Sequence, residues 1–108
     1  MDVDIYRVFE GDVLDNETPI HINEEVYSPA AGRMLTLRAA AFFNASSSVG
    51  IVYLKLGSTY IINAEVQPLT SILLDCQSAI LLSGEKIYLK GGIDSNIKHR
   101  IWGVEMDY

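Results

Sequence analysis

The chain has 108 residues, 49% of them hydrophobic and 20% charged, with a formal net charge of −6. That is enough apolar material for one packed core and too much for a disordered polymer. No apolar run approaches the roughly 18 residues of a membrane span, and Asp2, Asp4, Arg7 and Glu10 leave no room in the first ten residues for a secretory signal.

The charge is uneven. Residues 1–25 hold eight acids and one base, while residues 26–108 hold six acids and seven bases. An acidic first quarter repels nucleic acid and anionic lipid, so neither is an expected partner. It reads either as a solvated edge or as an N-terminal arm that meets a basic patch on a protein partner.

Asp2 to Phe9 alternates polar and apolar, with a phase shift near Arg7-Val8-Phe9, and reads as a strand broken by Gly11 and Asp12. Asp15 to Pro19 has turn chemistry, and Ile20-His-Ile22 is a short strand. Asn23 to Gly32 is a loop, with a one-turn helix at Asn23–Val26 as an option that Pro29 would end. Arg33 to Phe43 is the longest patterned segment. Helix competes there, because Met, Leu, Arg and Ala all propagate helices. The alternation at 34–38 favours strand, with Leu35, Leu37, Ala39 and Ala41 on one face. The small Ala39 and Ala41 imply that something packs close to them.

Asn44 to Gly50 reads as a polar hairpin loop, followed by a strand at 51–56. Gly57-Ser58 is a two-residue turn of the I′ or II′ kind, and 59–66 is the return strand. Pro68 belongs at an edge or corner, and Thr70 to Cys76 is a further strand. Ser78 to Lys90 reads as strand, Ser83-Gly84 turn, strand, a hairpin around which the rest is expected to organise. Gly91 to Asn96 is a flexible loop. The closing strand, 97–108, has mixed faces that point to a bulge, with Gly103 as its natural place. About eight short strands with turns every 8–12 residues predict an all-β, single-domain antiparallel β-sandwich of the jelly-roll kind.

No catalytic constellation stands out, and no cofactor, metal or enzymatic activity is expected. His21 and His99 are far apart in sequence, and the one cysteine, Cys76, reads as a small buried apolar residue. Asp12, Asp15 and Glu17 lack the rest of a calcium-loop pattern. Gly91-Gly92 lacks a following Lys-Ser, and Ser46, Ser47 and Ser48 lack a nucleophile elbow. The aromatic residues Tyr53, Tyr60, Tyr88 and Trp102 are the candidate interface. On one sheet face they would serve a sugar platform, a core or an oligomer contact.

Three stretches together resemble small all-β virion proteins of tailed bacteriophages: Gly32 to Asn44 running into a serine loop, Ala79 to Leu89 with its Leu-Ser-Gly-Glu-Lys-Ile centre, and Ile101-Trp-Gly-Val-Glu105 near the end. The resemblance spans about residues 33–106 and leaves the acidic first quarter uncovered. It implies a non-enzymatic structural protein of the virion, assembled in the host cytoplasm. The implied role is capsid decoration or stabilisation, or a tail or head–tail component. Its implied partners are other virion proteins and further copies of itself, in a ring or trimer. A glycan-binding module for host attachment is the alternative.

Overall fold

The computed structural model describes residues 3–92 and 96–108. Ten strands run in chain order: β1 (Ile5–Val13), β2 (Thr18–Pro19), β3 (His21–Ile22), β4 (Glu25–Val26), β5 (Arg33–Asn44), β6 (Gly50–Leu56), β7 (Thr59–Val66), β8 (Ser71–Leu82), β9 (Ile87–Gly91) and β10 (Ile97–Asp107). One sheet has the order β1-β10-β5-β8 and the facing sheet β2-β9-β6-β7, every pairing antiparallel. The chain alternates between the two sheets at nearly every connection, which is the jelly-roll form of the sandwich expected from the turn spacing. The ribbon β3-β4 is an addition, turned by Asn23 and Glu24, both at positive φ. The helical option for 23–26 loses because two consecutive left-handed residues close a tight hairpin and break a helix.

The core forms where the two inner faces meet. Phe9 and Val13 of β1, Leu35, Leu37, Ala40 and Phe42 of β5, and Ile97 and Ile101 of β10 face Val52, Leu54 and Leu56 of β6 and Ile87 and Leu89 of β9. In β1 the inward set is unbroken, since Ile5, Arg7, Phe9, Gly11 and Val13 pair with alternate residues of β10 from Glu105 to Ile97. There is no phase shift at Arg7. A charged residue simply occupies an inward position. The acidic first quarter is therefore part of the fold from Ile5 onward: β1 is hydrogen-bonded along its whole length, and Phe9, Val13 and Ile20 are core residues.

Two predicted hairpins are corrected. Ile80–Leu82 and Ile87–Lys90 belong to β8 and β9, which lie in opposite sheets. The Ser83-Gly84 turn is an arch over the core, and Leu81 and Ile87 bury from opposite sides of it. Alternation in sequence is the same for a hairpin and an arch, so it could not separate them. Glu85 holds the arch: its carboxylate accepts the Leu82 backbone N–H at 2.8 Å and its own N–H donates to the Leu82 carbonyl at 3.0 Å. Likewise 45–49 crosses from β5 to β6 between the sheets. The Leu56-Gly57-Ser58-Thr59 turn does form a true hairpin, β6 to β7, with Gly57 at φ +57. Pro68 sits at the corner where the chain leaves one sheet for the other. The glycine loop expected at 91–96 falls partly on residues 93–95, outside the described residues.

The long strands carry bulges. Arg38 is an extra residue in β5: Leu37 pairs with Gly103 and Ala39 with Trp102. On the other side, Leu37 pairs with Ala79 and Ala39 with Asp75, leaving Cys76, Gln77 and Ser78 opposite Arg38. Gln77 and Ser78 have positive φ. The expected irregularity at Gly103 is therefore present, with the extra residue on the neighbouring strand. A β-carbon at Gly103 would sit 3.0 Å from both the Leu35 side chain and the Thr36 carbonyl, so the bulge leaves no space for a larger residue.

Asn44 ties the sheets together at one end. It is fully buried, and its amide donates to the Ser48 carbonyl at 2.7 Å and to the Val66 carbonyl at 2.9 Å, while its oxygen accepts the Ser46 N–H. Asn44→Ala leaves the buried Val66 carbonyl without this hydrogen bond and unties the 45–49 crossing. The expected cost is about 2–4 kcal/mol, read as a lower urea midpoint with an unchanged slope.

Candidate interaction surfaces

The candidate aromatics divide between opposite faces of the sandwich. Tyr53 on β6, Tyr60 on β7 and Tyr88 on β9 come together on the outer face of the β2-β9-β6-β7 sheet, where Tyr53 and Lys90 are cross-strand partners, as are Lys55 and Tyr88. The Tyr53 and Tyr60 rings meet edge to face, centroids 6.4 Å apart. The Lys55 ammonium lies 5.5 Å from the Tyr60 ring centre and 4.9 Å from that of Tyr88, and pairs with Glu17 at 2.8 Å. Tyr53, Tyr60, Asn63 and Lys90 line an open hollow of about 350 Å³. The physical reason for the grouping is the two-residue period: Tyr53 and Lys55 alternate with the buried Val52, Leu54 and Leu56.

Trp102 stands apart, on the outer face of the β1-β10-β5-β8 sheet. Register across the four strands orders that face in rows. Tyr6, Val104, Thr36 and Ile80 form one row, Val8, Trp102, Ala39 and Asp75 the next, and Glu10, Arg100, Ala41 and Leu73 a third. Tyr6 is 83% exposed, Leu73 70% and Ile80 53%. Trp102 forms a rib between two hollows. One, of about 640 Å³, includes Ala41, Phe43 and Arg100 in its lining, and the other, of about 350 Å³, is bordered by Tyr6, Val8 and Arg38. Ala39 and Ala41, expected to share a face with Leu35 and Leu37, lie instead on this outer face, because the Arg38 bulge reverses the strand's parity.

Sequence reading missed Leu73 and Ile80 as surface residues. The signal was present: Ile72-Leu73-Leu74 and Ile80-Leu81-Leu82 are unbroken apolar runs, and in a strand with one face in the core every run of three must send a residue outward.

Between the sheets lies a polar cluster. Glu105 and Arg33 are each only 5% exposed. Glu105 accepts the Tyr27 hydroxyl at 2.6 Å and lies 3.4 Å from both Arg7 and Arg33. Arg33 also donates to Asp107 at 2.7 Å and to the Val3 carbonyl at 2.8 Å. Burial by itself would raise the Glu105 pKa. The Tyr27 hydroxyl and the two guanidinium groups outweigh it and hold the carboxyl below its ordinary range. Burial, with the adjoining carboxylate, pushes the Tyr27 phenol well above its ordinary value. Its carboxylate is met by Tyr27, Arg7 and Arg33, drawn from three separate segments, so the cluster reads as structural.

His99 faces inward opposite Gly11 and Phe42, with an Nδ1 that has no hydrogen-bond partner among the described residues. Burial drives its pKa from 6.5 down to about 4, against the opposing pull of Asp12 and Glu10. His21 is exposed and donates to the Pro19 carbonyl. Cys76 is buried, and burial raises its thiol pKa. Among the described residues no three of His, Cys, Asp and Glu gather as a metal site would require.

No family model and no curated protein matches the chain. A solved structure described as "Bacillus endospore appendages form a novel family of disulfide-linked pili" has a similar fold, with a TM-score of 0.54 over 97% of this chain and 87% of that one, at 8% sequence identity. At that identity the likeness is one of fold alone.

The shifted groups set the pH response. The folded state holds His99 neutral, so between pH 6.5 and about 4 the unfolded chain binds more protons. This contribution is complete above pH 6.5 and is lost as pH falls, up to about 3 kcal/mol. Glu105, depressed in the folded state, adds a second loss below pH 4.5. Urea midpoints from pH 7.5 to 3 are expected to fall in two stages, and His99→Leu to flatten the first while leaving the second.

Proposed function

We propose that this chain is a non-enzymatic structural subunit that works by packing against neighbours in a larger assembly. The observation that carries the reading is a cluster of exposed apolar residues on one sheet face. Tyr6, Val8, Phe43, Leu73 and Ile80 share one outer sheet face, where a freely soluble monomer scatters such residues singly. The setting implied by the sequence resemblance is a phage virion, as a capsid decoration protein or a tail or head–tail component. Jelly rolls are used in viral capsids, which supports that setting. The neighbour of similar fold comes from a pilus, which supports polymeric assembly without choosing between particle and fibre. The pilus is described as disulfide-linked, whereas Cys76 of this chain is buried and free. Its contacts with neighbours would rest on surface packing.

Light scattering coupled to size exclusion, from about 1 μM to 1 mM, tests the reading over the affinity range of reversible assembly. Mass rising with concentration, or co-sedimentation with assembled particles, is expected. A strict monomer that fails to co-sediment would refute it.

The tyrosine hollow favours a second reading, a glycan-binding surface. Tyr53 and Tyr60 line the hollow with Asn63 and Lys90 offering donors, and Lys55 lies against the Tyr60 and Tyr88 rings. If sugars bind there, Tyr60→Ala is expected to weaken binding in a glycan screen at least tenfold, and Trp102→Ala, on the opposite face, to leave it unchanged.

A further inference from the structure

The outer face of the β1-β10-β5-β8 sheet has the marks of a surface made for its own likeness. Its charge is balanced within the four strands. Glu10, Asp12 and Asp75 are offset by Arg38, Lys98 and Arg100, on a chain whose formal net charge is −6. Two of those pairs are closed cross-strand within the chain: Arg100 with Glu10 at 2.8 Å, and Lys98 with Asp12. Two copies of this face can approach without the repulsion their net charge would otherwise impose.

The shape agrees. Tyr6, Leu73 and Ile80 project, while the hollows on either side of Trp102 are recessed, floored in part by the small Ala41. Apolar projections and recesses whose charges are paired within the chain lie on one face, which is what a twofold interface requires: each copy supplies both halves of the contact. The small Ala39 and Ala41 lie on the outer side of the sheet, half-buried beside Trp102, and leave the hollow there open to a neighbour. The opposite outer face, with Lys55, Lys90 and Glu65 among its tyrosines, is a poorer match for this apolar surface. Four strands about 4.8 Å apart and about 11 residues long give roughly 700 Å² of face, close to the approximately 800 Å² per partner of a standard stable interface.

The geometry points to a second copy of this chain as the occupant of this face, docked face to face about a twofold axis through the neighbourhood of Trp102. The inference rests on the assembly reading above and names the contact it uses.

Trp102 is the chain's only tryptophan, so its fluorescence reports on this face directly. The test measures mass by sedimentation equilibrium and Trp102 emission across a concentration series. It compares the wild-type chain, the Leu73→Glu/Ile80→Glu double variant, and Tyr60→Glu on the opposite face as control. Leu73, Ile80 and Tyr60 are all more than half exposed, so folding is expected to persist, checked by circular dichroism. Wild type is expected to form dimers as the Trp102 emission shifts to shorter wavelength and iodide quenching falls. The double variant is expected to weaken association at least tenfold, and Tyr60→Glu to leave it unchanged. Association that survives the double variant, or that is lost only in Tyr60→Glu, overturns the inference and leaves the assembly reading standing. A wild-type monomer at 1 mM by the order of affinities that matter overturns the inference. If it also fails to co-sediment with particles, the assembly reading falls with it. A monomer whose Trp102 emission shifts only when a different protein is added gives the face to another partner and overturns self-docking.

Discussion

The bulge at Arg38 is the constraint on which the rest of the molecule depends. β5 is the central strand of its sheet, paired with β10 on one side and β8 on the other, and both registers break at the same place. A strand with strict two-residue alternation would carry Leu35, Leu37, Ala39, Ala41 and Phe43 to the core. One inserted residue divides it. Upstream, Leu35 and Leu37 face inward; downstream, Ala40, Phe42 and Asn44 do. The larger Phe42 thereby fills the core while the alanines move outside, and Asn44 arrives where it can bind the Ser48 and Val66 carbonyls. The bulge also adds local twist, and the hollows flank Trp102, which pairs with the residue just after it.

The polar cluster around Glu105 is the second constraint. Taking Arg33 and Glu105 out of water carries a desolvation cost that their attraction recovers only if the remaining donors and acceptors are also satisfied. Here they are shared among Tyr27, Arg7, Asp107 and the Val3 carbonyl. These groups come from both ends of the chain and from the segment after β4. The cluster closes one end of the sandwich by joining pieces far apart in sequence, and its geometry sets the register of β1 on β10 because Arg7 has to face inward to reach Glu105. Removing Arg33 or Glu105 leaves the other charged, buried and short of a partner, which costs more than the pair contributes.

The sequence made the sandwich legible because most of its signals are local. The Gly57-Ser58 turn, the corner at Pro68 and the alternation of 51–56 all depend on residues a few positions apart. What it hid are the choices between near-equal local patterns. Leu81 and Ile87 alternate alike whether the turn between them folds back in one sheet or arches across the core. Arg7 breaks the apolar pattern of β1 only until its distant partner Glu105 is placed beside it. The candidate aromatics share a residue class and a strand context, yet Trp102 faces away from the three tyrosines. Nothing in the chain order says which strands share a sheet, and outward residues of different sheets point in opposite directions.

That division gives the particle two unlike sides. One bears tyrosines beside Lys55 and Lys90; the other is grooved, with exposed apolar residues set among charges that balance one another. The face-to-face pair proposed above would stop at two copies, because a twofold contact consumes the face on both. Larger order has to come from surfaces still available after that contact. In that pair the tyrosine face would be directed outward on both sides, and so would the edge strand β7, whose outer backbone no described strand covers. A closed pair presenting two identical outer faces suits attachment to a repeating surface, where two weak contacts made together hold far better than either alone. A head-to-tail stack would bring Lys55 and Lys90 against a face whose carboxylates are already held by its own Lys98 and Arg100, at a cost in desolvation. The same difference between the faces that disfavours an open stack therefore favours a paired building block, with the tyrosine side left to meet the surroundings.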